Sequence, residues 1–247
     1  MGKTLKLSVI ILFDSNSDKK LLEQSIKSVD FADEILKIET SKMIGGFSEW
    51  RNEGLKKAKS EWVLYVDSDE EILPVLRNEI LLTINHLQLT ISAFAIPRRN
   101  FIFGKEFKYS GQYPDYQKRL FRHSAIKKWV GDVHEEPIFD SEAGYFGKIG
   151  HLKNPIIHHK NMTLSQMIDK TNEWSEIEGR LMFEVNHPPM NVLRFTSVLL
   201  REFYIKFIKE KAFLDGKEGI IYGIYQIYSK LISYSKLWEK QQSITRI

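Results

Sequence analysis

The sequence contains no cysteine. Disulfide bonds, thiolate metal sites and cysteine nucleophiles are therefore excluded. The chain also lacks an uninterrupted apolar stretch of about 18 residues, the length that a transmembrane helix needs. No secretory signal is recognisable, because the apolar segment 7–13 is short and no small-residue cleavage site follows it. We therefore expect a cytoplasmic protein.

The length of 247 residues allows one large α/β domain, or one domain with an appendage. A hydrophobic content of 43% is ordinary for a globular protein and allows a sizeable core. The net charge of +4 is unevenly distributed. From Arg194 to the C-terminus there are ten basic and five acidic residues, against 26 and 27 in the remainder. This basic end is a candidate for contact with anionic lipid or nucleic acid.

Short apolar runs alternate with helical patterns over the first hundred residues. The predicted strands are 7–13, 34–39, 62–66 and 93–97, and the predicted helices are 21–29, 49–59 and 74–87. Such alternation is typical of an α/β fold with a mostly parallel, Rossmann-like sheet flanked by helices. Beyond residue 97 the pattern predicts a loop-rich region with short strands at 117–122 and 155–159, then a long helix over 163–185.

The segment 191–238 predicts two helices that break near Asp215–Gly216. Aromatic and basic residues are interleaved along both helices. Two interpretations stay open. The rings could lie at the headgroup level of a membrane interface, with lysines toward the phosphates, or the helices could form a hairpin packed on the rest of the chain.

The strand 62–66 ends in two aspartates, Asp67 and Asp69. Ligands of open α/β sheets bind beyond the carboxyl ends of the strands. Carboxylates at that edge are oxygen ligands for a hard cation that bridges to a substrate diphosphate. Acids after a strand also start turns or cap helices, and Pro74 suits the first turn of a helix, so a capping role for residues 69–71 is an alternative.

Ten short segments follow one another in a recognisable order. They are SVII (8–11), ADEI (32–35), RNEGL (51–55), EWVL (61–64), DSDE (67–70), IPRRN (96–100), YPDYQ (113–117), RLFR (119–122), VHE (133–135) and FLDGK (213–217). In this order the chain resembles family-two glycosyltransferases of the GT-A fold. Among them it is similar to bacterial lipopolysaccharide-core and other cell-surface sugar transferases.

The resemblance implies a GT-A catalytic domain over residues 1–190 and a helical, basic and aromatic-rich tail over residues 191–247. It implies a nucleotide-sugar donor, a UDP-sugar first among them, and inversion at the anomeric carbon. The acceptor would be a lipopolysaccharide core or another saccharide or glycolipid, met at the inner face of the cytoplasmic membrane. Asp69 would bind Mg²⁺ or Mn²⁺ and Asp67 would lie near the ribose or the cation, because the cation neutralises the charge on the leaving nucleoside diphosphate.

Inversion needs one general base to take the proton of the acceptor hydroxyl. The sequence offers Asp115, Asp132 and Glu135. We expect Glu135 to be the base, from its position in the VHE segment, with Asp115 as second candidate. Asp115 could instead be a turn residue after Pro114, and His134 is expected to orient a neighbour or to pack.

Further residues are predicted to bind the donor. Asp14, Glu39, Arg51 and Arg119 join Asp67 and Asp69 in the predicted donor-binding set. Arg119 and Arg122 could neutralise phosphate, since guanidinium groups suit it, or could form a solvated face of a strand.

His158 lies near the end of the predicted strand 155–159. The resemblance implies that a histidine near here approaches the donor or the metal, and imidazole suits Mn²⁺, so His158 is a candidate extra ligand for the cation. A structural role for His158 is the alternative.

The chain departs from the family after the second strand. Relatives carry Asp-Ser-Gly-Ser there, followed by a further helix and strand, whereas Glu39-Thr40 leads quickly to Gly45. That region helps to hold the base and ribose of the donor. A catalytically weak or inactive saccharide- or lipid-binding relative is therefore the alternative function. Nucleic-acid binding has only the basic end in its favour, and no recognised motif supports it.

Overall fold

A computed structural model describes residues 6–86, 91–131, 135–141, 147–160 and 162–245. The strands are β1 Leu7–Phe13, β2 Glu34–Glu39, β3 Trp62–Asp67, β4 Glu70–Glu71, β5 Ala93–Ile102, β6 Lys105–Glu106, β7 Asp115–Arg122, β8 Ile126–Val130, β9 Glu136–Phe139, β10 Ile149–His151 and β11 Ile156–Lys160. The helices are α1 Lys19–Ser28, α2 Phe47–Lys57, α3 Pro74–His86, α4 Leu164–Glu184, α5 Val192–Phe203 and α6 Gly216–Thr245. The predicted alternation of strands and helices is confirmed.

The centre of the sheet is a parallel trio in which β1 lies between β2 and β3. Every residue of β1 from Leu7 to Leu12 is buried. Odd-numbered side chains such as Val9 and Ile11 belong to one hydrophobic cluster, and the even-numbered Ile10 and Leu12 belong to another. Side chains of a strand alternate between the two faces of a sheet, so both faces are covered, which explains the uninterrupted apolar run in the sequence.

Helices cover both faces of the sheet. Residues of α3, among them Leu76 and Ile80, pack in the cluster that contains Val9, together with Leu22 and Ile26 of α1. On the other face, Leu55 of α2 packs with Ile10. These helices begin and end within about two residues of their predicted bounds, the usual scatter for helix ends.

Helix α2 approaches β1 closely at Gly54. A Cβ atom built on Gly54 would lie 2.6 Å from Cγ2 of Ile10, closer than carbon atoms pack. The glycine of the RNEGL segment therefore allows the helix to rest directly on the central strand. This contact fixes the height of Arg51, one turn earlier, relative to the sheet.

The sheet continues beyond the parallel trio in the order β2-β1-β3-β7-β5-β11-β4. β7 lies antiparallel between β3 and β5, although it follows both of them in the chain. β4, directly after the paired aspartates, pairs antiparallel with β11. β8 and β9 form a separate two-stranded sheet.

Acids 69–71 do not cap α3, because Glu70 and Glu71 form β4 and the helix begins only at Pro74. The capping interpretation is wrong. The interpretation of Asp115 as a turn residue is also wrong, since it is the first residue of β7. Between β2 and α2 there is only a 3₁₀ turn, Thr40–Lys42, so the short connection expected from the sequence is confirmed.

The chain divides into two compact units, residues 1–100 with 114–159, and residues 101–113 with 160–247. In the second unit, α4 and α5 pack against α6. The prediction of a domain boundary between residues 190 and 191 stays a prediction. By its contacts α4 groups with the C-terminal helices.

Within the second unit, Asp215 holds the hairpin loop of residues 103–112 to the start of α6. Its buried carboxylate accepts hydrogen bonds from the backbone nitrogens of Lys108 and Tyr109, at 3.0 and 3.1 Å, and from Oγ of Ser110 at 2.9 Å. The predicted break near Asp215–Gly216 is confirmed, because α6 begins at Gly216. The FLDGK segment therefore has a structural role, because its Asp215 anchors the loop of residues 103–112.

Apolar side chains are exposed along α5 and the π-helical turn Tyr204–Lys209 that follows it. Leu193 is 81% exposed, Leu200 65%, Tyr204 57% and Ile208 56%. Their spacing of seven and then four residues puts them on one face, which we call the α5 stripe. No helix among the described residues is long and apolar enough to cross a membrane.

Candidate active site

The carboxyl ends of β1, β2 and β3 meet at one edge of the sheet. Phe13 of β1 is in register with Glu39, and Leu12 with Asp67. Asp14 follows in the loop after β1, where its Oδ1 accepts a hydrogen bond of 2.8 Å from the backbone nitrogen of Asn16. Three of the predicted donor-binding residues, Asp14, Glu39 and Asp67, therefore lie at the same edge.

Asp67 is bound by arginines. Nη1 of Arg119 donates to its Oδ1 at 3.3 Å and Nη2 of Arg119 donates to its Oδ2, while Nη2 of Arg51 lies 3.7 Å from Oδ1. Burial raises the pKa of Asp67, but the charges of Arg119 and Arg51 more than offset this and hold that pKa well below its usual range. Asp67 is thus a fixed anion at any physiological pH.

Arg119 lies between two carboxylates. Besides Asp67, its Nη2 binds Oε1 of Glu70 at 2.6 Å, and Glu70 also accepts a hydrogen bond of 3.0 Å from the backbone nitrogen of Asp67. Burial lowers the pKa of Arg119, yet the two carboxylates raise it further, so the pKa lies above its usual value. The interpretation of Arg119 and Arg122 as a solvated strand face is wrong, because they are only 3% and 6% exposed.

Arg122 lies apart from this edge. Its Nη1 binds Oε1 of Glu61 at 2.8 Å, and its guanidinium is 4.7 Å from the ring centroid of Trp62. Nothing in these contacts points to phosphate. Glu70 was not among the predicted site residues. The acidic DSDE segment, which contains Glu70, and the basic RLFR segment, which contains Arg119, were the signal for a buried ion pair between them.

Asp69 is paired differently from Asp67. The β4–β11 pairing puts His158 opposite Glu70, and the backbone nitrogen of His159 donates to the carbonyl oxygen of Asp69 at 2.9 Å. As a result, Nε2 of His158 lies 3.4 Å from Oδ2 of Asp69. Within the described part of the chain, no arginine or lysine forms an ion pair with Asp69.

The donor set at Asp69 fits a divalent cation held jointly with a substrate. Among the described residues, no group of three or more His, Cys, Asp or Glu side chains converges as a complete metal site. Asp69 and His158 together contribute one carboxylate and one imidazole nitrogen. Mg²⁺ and Mn²⁺ are commonly bound by one or two protein groups with substrate phosphates and waters as the remaining ligands.

Asp115 belongs to a hydrogen-bonded cluster. Its Oδ2 accepts from Nε and Nη2 of Arg98, at 2.9 and 2.7 Å, and from Nδ2 of Asn100 at 3.1 Å, while its Oδ1 accepts from Nε2 of Gln117 at 2.7 Å. Burial raises the pKa of Asp115, but Arg98 and these donors bring it below its usual value. Its role as second candidate base stays a prediction.

Arg51 connects the predicted base with Asp67. Its Nε donates to Oε1 of Glu135 at 3.2 Å, its Nη2 faces Asp67, and its guanidinium stacks on the rings of Tyr65 and Trp129 at 5.3 and 5.0 Å. Glu135 is thereby tied to the carboxyl edge of β3. The predicted candidate Asp132 and the neighbouring His134 lie outside the described residues.

Most of these elements fall within the range matched by one protein-family model. The family model "Glycosyl transferase family 2" matches residues 4–136, which include β1 to β8 and Glu135. The chain belongs to glycosyl transferase family 2. The predicted family is confirmed, and the match covers the elements that carry Asp14, Glu39, Arg51, Asp67, Asp69, Asp115, Arg119 and Glu135.

Curated relatives of this family-two chain are distant and longer. An uncharacterized glycosyltransferase of Rickettsia conorii is 23% identical over 186 residues, which cover 73% of this chain and 65% of the relative. The prophage-derived glycosyltransferase SunS of Bacillus subtilis is 27% identical over 176 residues, covering 68% of this chain and 39% of SunS. The chain thus spans at most about two thirds of the length of these relatives.

A solved structure supports the fold. The mannosyltransferase PcManGT of Pyrobaculum calidifontis, determined in complex with GDP-Man and Mn²⁺, aligns over 96% of this chain and 88% of its own length. The TM-score is 0.51 and the sequence identity 11%. The predicted α/β, GT-A-type fold with a C-terminal helical part is confirmed.

Proposed function

We propose that this family-two chain is an inverting hexosyltransferase that uses a nucleotide-diphosphate sugar and a divalent cation. One observation carries the proposal: Asp69 and His158 present an oxygen and a nitrogen 3.4 Å apart beyond β3, where the α/β fold binds nucleotides. The arginines nearby are already bound to Asp67, Glu70 and Asp115. Asp69 is therefore the acid best placed to meet a cation.

Asp69 and His158 would hold Mg²⁺ or Mn²⁺ together with oxygens of the donor diphosphate. When bound, the cation neutralises the negative charge that develops on the leaving nucleoside diphosphate. The chain's own contribution is to keep the edge rigid. Arg119 fixes Asp67 and Glu70 on one side of the turn, and the β4–β11 pairing fixes His158 on the other.

Glu135 is the proposed general base, which takes the proton from the acceptor hydroxyl as that oxygen attacks the anomeric carbon. Arg51 orients the Glu135 carboxylate and spans the space between it and Asp67. Asp14, Glu39, Arg51, Asp67 and Arg119 form the proposed donor-binding edge, in which Arg119 acts through Asp67. The donor is a UDP-sugar on this proposal, and the GDP-Man bound by PcManGT makes a GDP-sugar the alternative to test.

Metal-dependent consumption of the donor is the direct test. The purified chain is incubated with a panel of UDP- and GDP-sugars, with Mn²⁺, with Mg²⁺ and with a chelator, and the released nucleoside diphosphate is measured. We expect release with a cation and about a thousandfold less with Asp69→Asn, by analogy with loss of one charge-stabilising group. Asp169→Asn, an exposed acid on α4, is the matched control. Equal rates with chelator would overturn the metal role.

We further propose that the chain works as a peripheral protein on anionic membrane and takes a cell-surface saccharide or glycolipid, such as a lipopolysaccharide core, as acceptor. The support is the α5 stripe. Between residues 191 and 211 the chain carries five basic and two acidic residues alongside the exposed apolar side chains. Apolar insertion combined with attraction to anionic lipid is the pattern of an interfacial helix.

Vesicle flotation tests the membrane proposal. The wild-type chain is expected to float with vesicles that contain phosphatidylglycerol at low salt, and to remain at the bottom with neutral phosphatidylcholine vesicles. Leu200→Glu should weaken flotation, because it places a charge in the middle of the α5 stripe. Leu181→Glu, an exposed leucine on α4, is the control. Absence of the wild-type chain from both floating fractions would count against the proposal.

A further inference from the structure

Each ring nitrogen of His158 has a polar neighbour. It is 7% exposed on β11, and its Nδ1 lies 2.6 Å from Oδ1 of Asn100 on β5. Its Nε2 lies 3.4 Å from Oδ2 of Asp69. A neutral imidazole carries one proton on one of these two nitrogens, and the neighbours decide which one. The chemical use of His158 therefore depends on what Asn100 presents to Nδ1.

Asn100 can present only its oxygen. Its amide has two ends, and the Nδ2 end donates to Oδ2 of Asp115 at 3.1 Å. An ionised carboxylate accepts hydrogen bonds and donates none, so turning the amide over would set Oδ1 of Asn100 against an acceptor. The acceptor Oδ1 of Asn100 then faces His158, and Nδ1 of His158 has to be the donor.

Asp115 is itself well fixed for this purpose. Arg98 donates two hydrogen bonds to Oδ2, the same oxygen that receives the Asn100 amide, and Gln117 donates to Oδ1. The pKa of Asp115 lies below its usual value, because Arg98 and the donors outweigh the effect of burial, so the group remains an acceptor at neutral pH. The order Arg98, Asp115, Asn100, His158 is thus a chain of donors and acceptors with one allowed direction.

We propose that Asp115 and Asn100 are positioning residues that keep His158 as the Nδ1–H tautomer, with the lone pair of Nε2 directed toward Asp69. The tautomer follows from these contacts alone, and the use of the lone pair as a metal ligand rests on the proposed function. With no proton between them, Nε2 and the Asp69 carboxylate are two electron-rich atoms 3.4 Å apart, an arrangement that favours a cation. Groups that fix a ligand histidine in this way typically change metal affinity by about 10–100-fold when removed.

The first experiment needs no metal. The chain is labelled with ¹⁵N-histidine, and the two ring nitrogens of His158, assigned through His158→Gln, are read by long-range ¹H–¹⁵N correlation at a pH above the titration range of histidine. We expect a protonated Nδ1 and an unprotonated Nε2. A protonated Nε2 in the metal-free chain would overturn the proposal.

The second experiment removes the directing group. Asp115→Asn gives Asn100 a neighbour that both donates and accepts, so its amide can turn over, and His158 should become a mixture of tautomers. Gln117→Leu, which contacts the other oxygen of Asp115, should leave the His158 spectrum unchanged. An unaltered His158 spectrum in Asp115→Asn, with circular dichroism like that of the wild type, would show that Asp115 is not a positioning residue.

Manganese binding provides the link to the proposed function. Free Mn²⁺ is followed by electron paramagnetic resonance in the presence of UDP. We expect weaker binding in Asp115→Asn, by about 10–100-fold, and little change in Gln117→Leu. Tautomer selection without Mn²⁺ binding would leave the positioning role intact and reject the metal role, so the two proposals fail separately. Equal Mn²⁺ affinity in Asp115→Asn and wild type would reject the positioning of His158 for metal.

Discussion

The sheet edge buries charged side chains, whereas the α5 stripe exposes apolar ones. At the edge, Arg119 and Glu70 are almost fully buried and bound to each other. Along the stripe, Leu193 and Leu200 are mostly exposed. Burying charged groups requires desolvation energy, which a fixed set of ion pairs can offset. A contiguous row of exposed apolar side chains lowers solubility and commonly marks a surface that contacts a partner or a membrane. On the proposed function, the first region would meet a small, highly charged ligand and the second an apolar surface.

The two aspartates of the DSDE segment repeat this contrast on a smaller scale. Asp67 is bound by Arg119 and approached by Arg51, while Asp69 faces His158. On the proposed function, these two residues on one turn would have different duties: Asp67 holds the edge together and Asp69 meets the ligand.

The largest expected effect is on turnover. Glu135→Gln removes the proposed proton acceptor and should lower turnover by about 10²–10⁴-fold, the usual contribution of a general base. Steady-state kinetics with the donor selected from the panel of UDP- and GDP-sugars would measure it. The neighbouring Glu136, an exposed residue paired with Lys118, provides the control Glu136→Gln, which should be nearly neutral. Turnover within a few-fold of wild type in Glu135→Gln would place the base elsewhere.

Asp67→Asn should weaken the fold itself. It leaves Arg119 and Arg51 with one carboxylate fewer in a mostly buried place. We expect a loss of about 2–3 kcal/mol in the free energy of unfolding, less than the value for a fully buried pair because the Asp67 side chain is 31% exposed.

Urea denaturation of Asp67→Asn and of Asp69→Asn would measure the difference between the two aspartates. Asp69→Asn should change stability by no more than about 0.5 kcal/mol, because its side chain is partly exposed, at 38%, and no arginine or lysine of the described residues forms an ion pair with it. Equal destabilisation by the two substitutions would remove the division of duties between them.

The pH dependence of stability should follow Asp67 as well. Its folded pKa lies below the value of 3.8 that an unperturbed aspartate has. The unfolded chain therefore binds a proton first as the pH falls, so the stability that Asp67 contributes is complete above about pH 4 and is lost below it. The unfolding free energy of Asp67→Asn should fall less steeply than that of wild type between neutral pH and strong acid. Parallel curves would contradict this assignment.

The smallest expected effect belongs to the α5 stripe. Leu200→Ala should change the free energy of unfolding by no more than about 0.5 kcal/mol, because the side chain already meets solvent. Leu64→Ala, at a fully buried position in β3, should cost about 2–5 kcal/mol. Thermal or urea unfolding of both variants would sharpen the contrast between core and stripe. A large loss in Leu200→Ala would mean that the stripe packs within the chain.

Much of the fold could be predicted because its signals are local. β1 and β2 have their predicted bounds, since apolar runs flanked by polar residues define a strand without reference to the rest of the chain. The place of β7 between β3 and β5 could not be predicted, because periodicity carries no information about which strand a later strand joins. That insertion is what buries Arg119.

The sequence predicted which residues lie in the candidate site better than it predicted which side chains bind one another. Asp69 and His158 lie together as a metal ligand pair would require, and Glu135 lies near Asp67 through Arg51. The engagement of Arg119 with two carboxylates and of Asp115 with Arg98 depends on side-chain geometry across strands far apart in sequence. Residue types alone gave each of these groups several possible partners, and only their positions decide among them.

The pairing of β4 with β11 determines when, during synthesis of the chain, Asp69 and His158 can come together. Asp69 and the strands before it emerge early during synthesis, whereas His158 emerges only with the last strand of the sheet. A nascent chain that stops before Ile156 would possess Asp67, Glu70 and Arg119 but not the histidine that faces Asp69. On the proposed function, a metal site at Asp69 would be complete only once the last strand of the sheet has formed, while helices α4 to α6 are still to be synthesised.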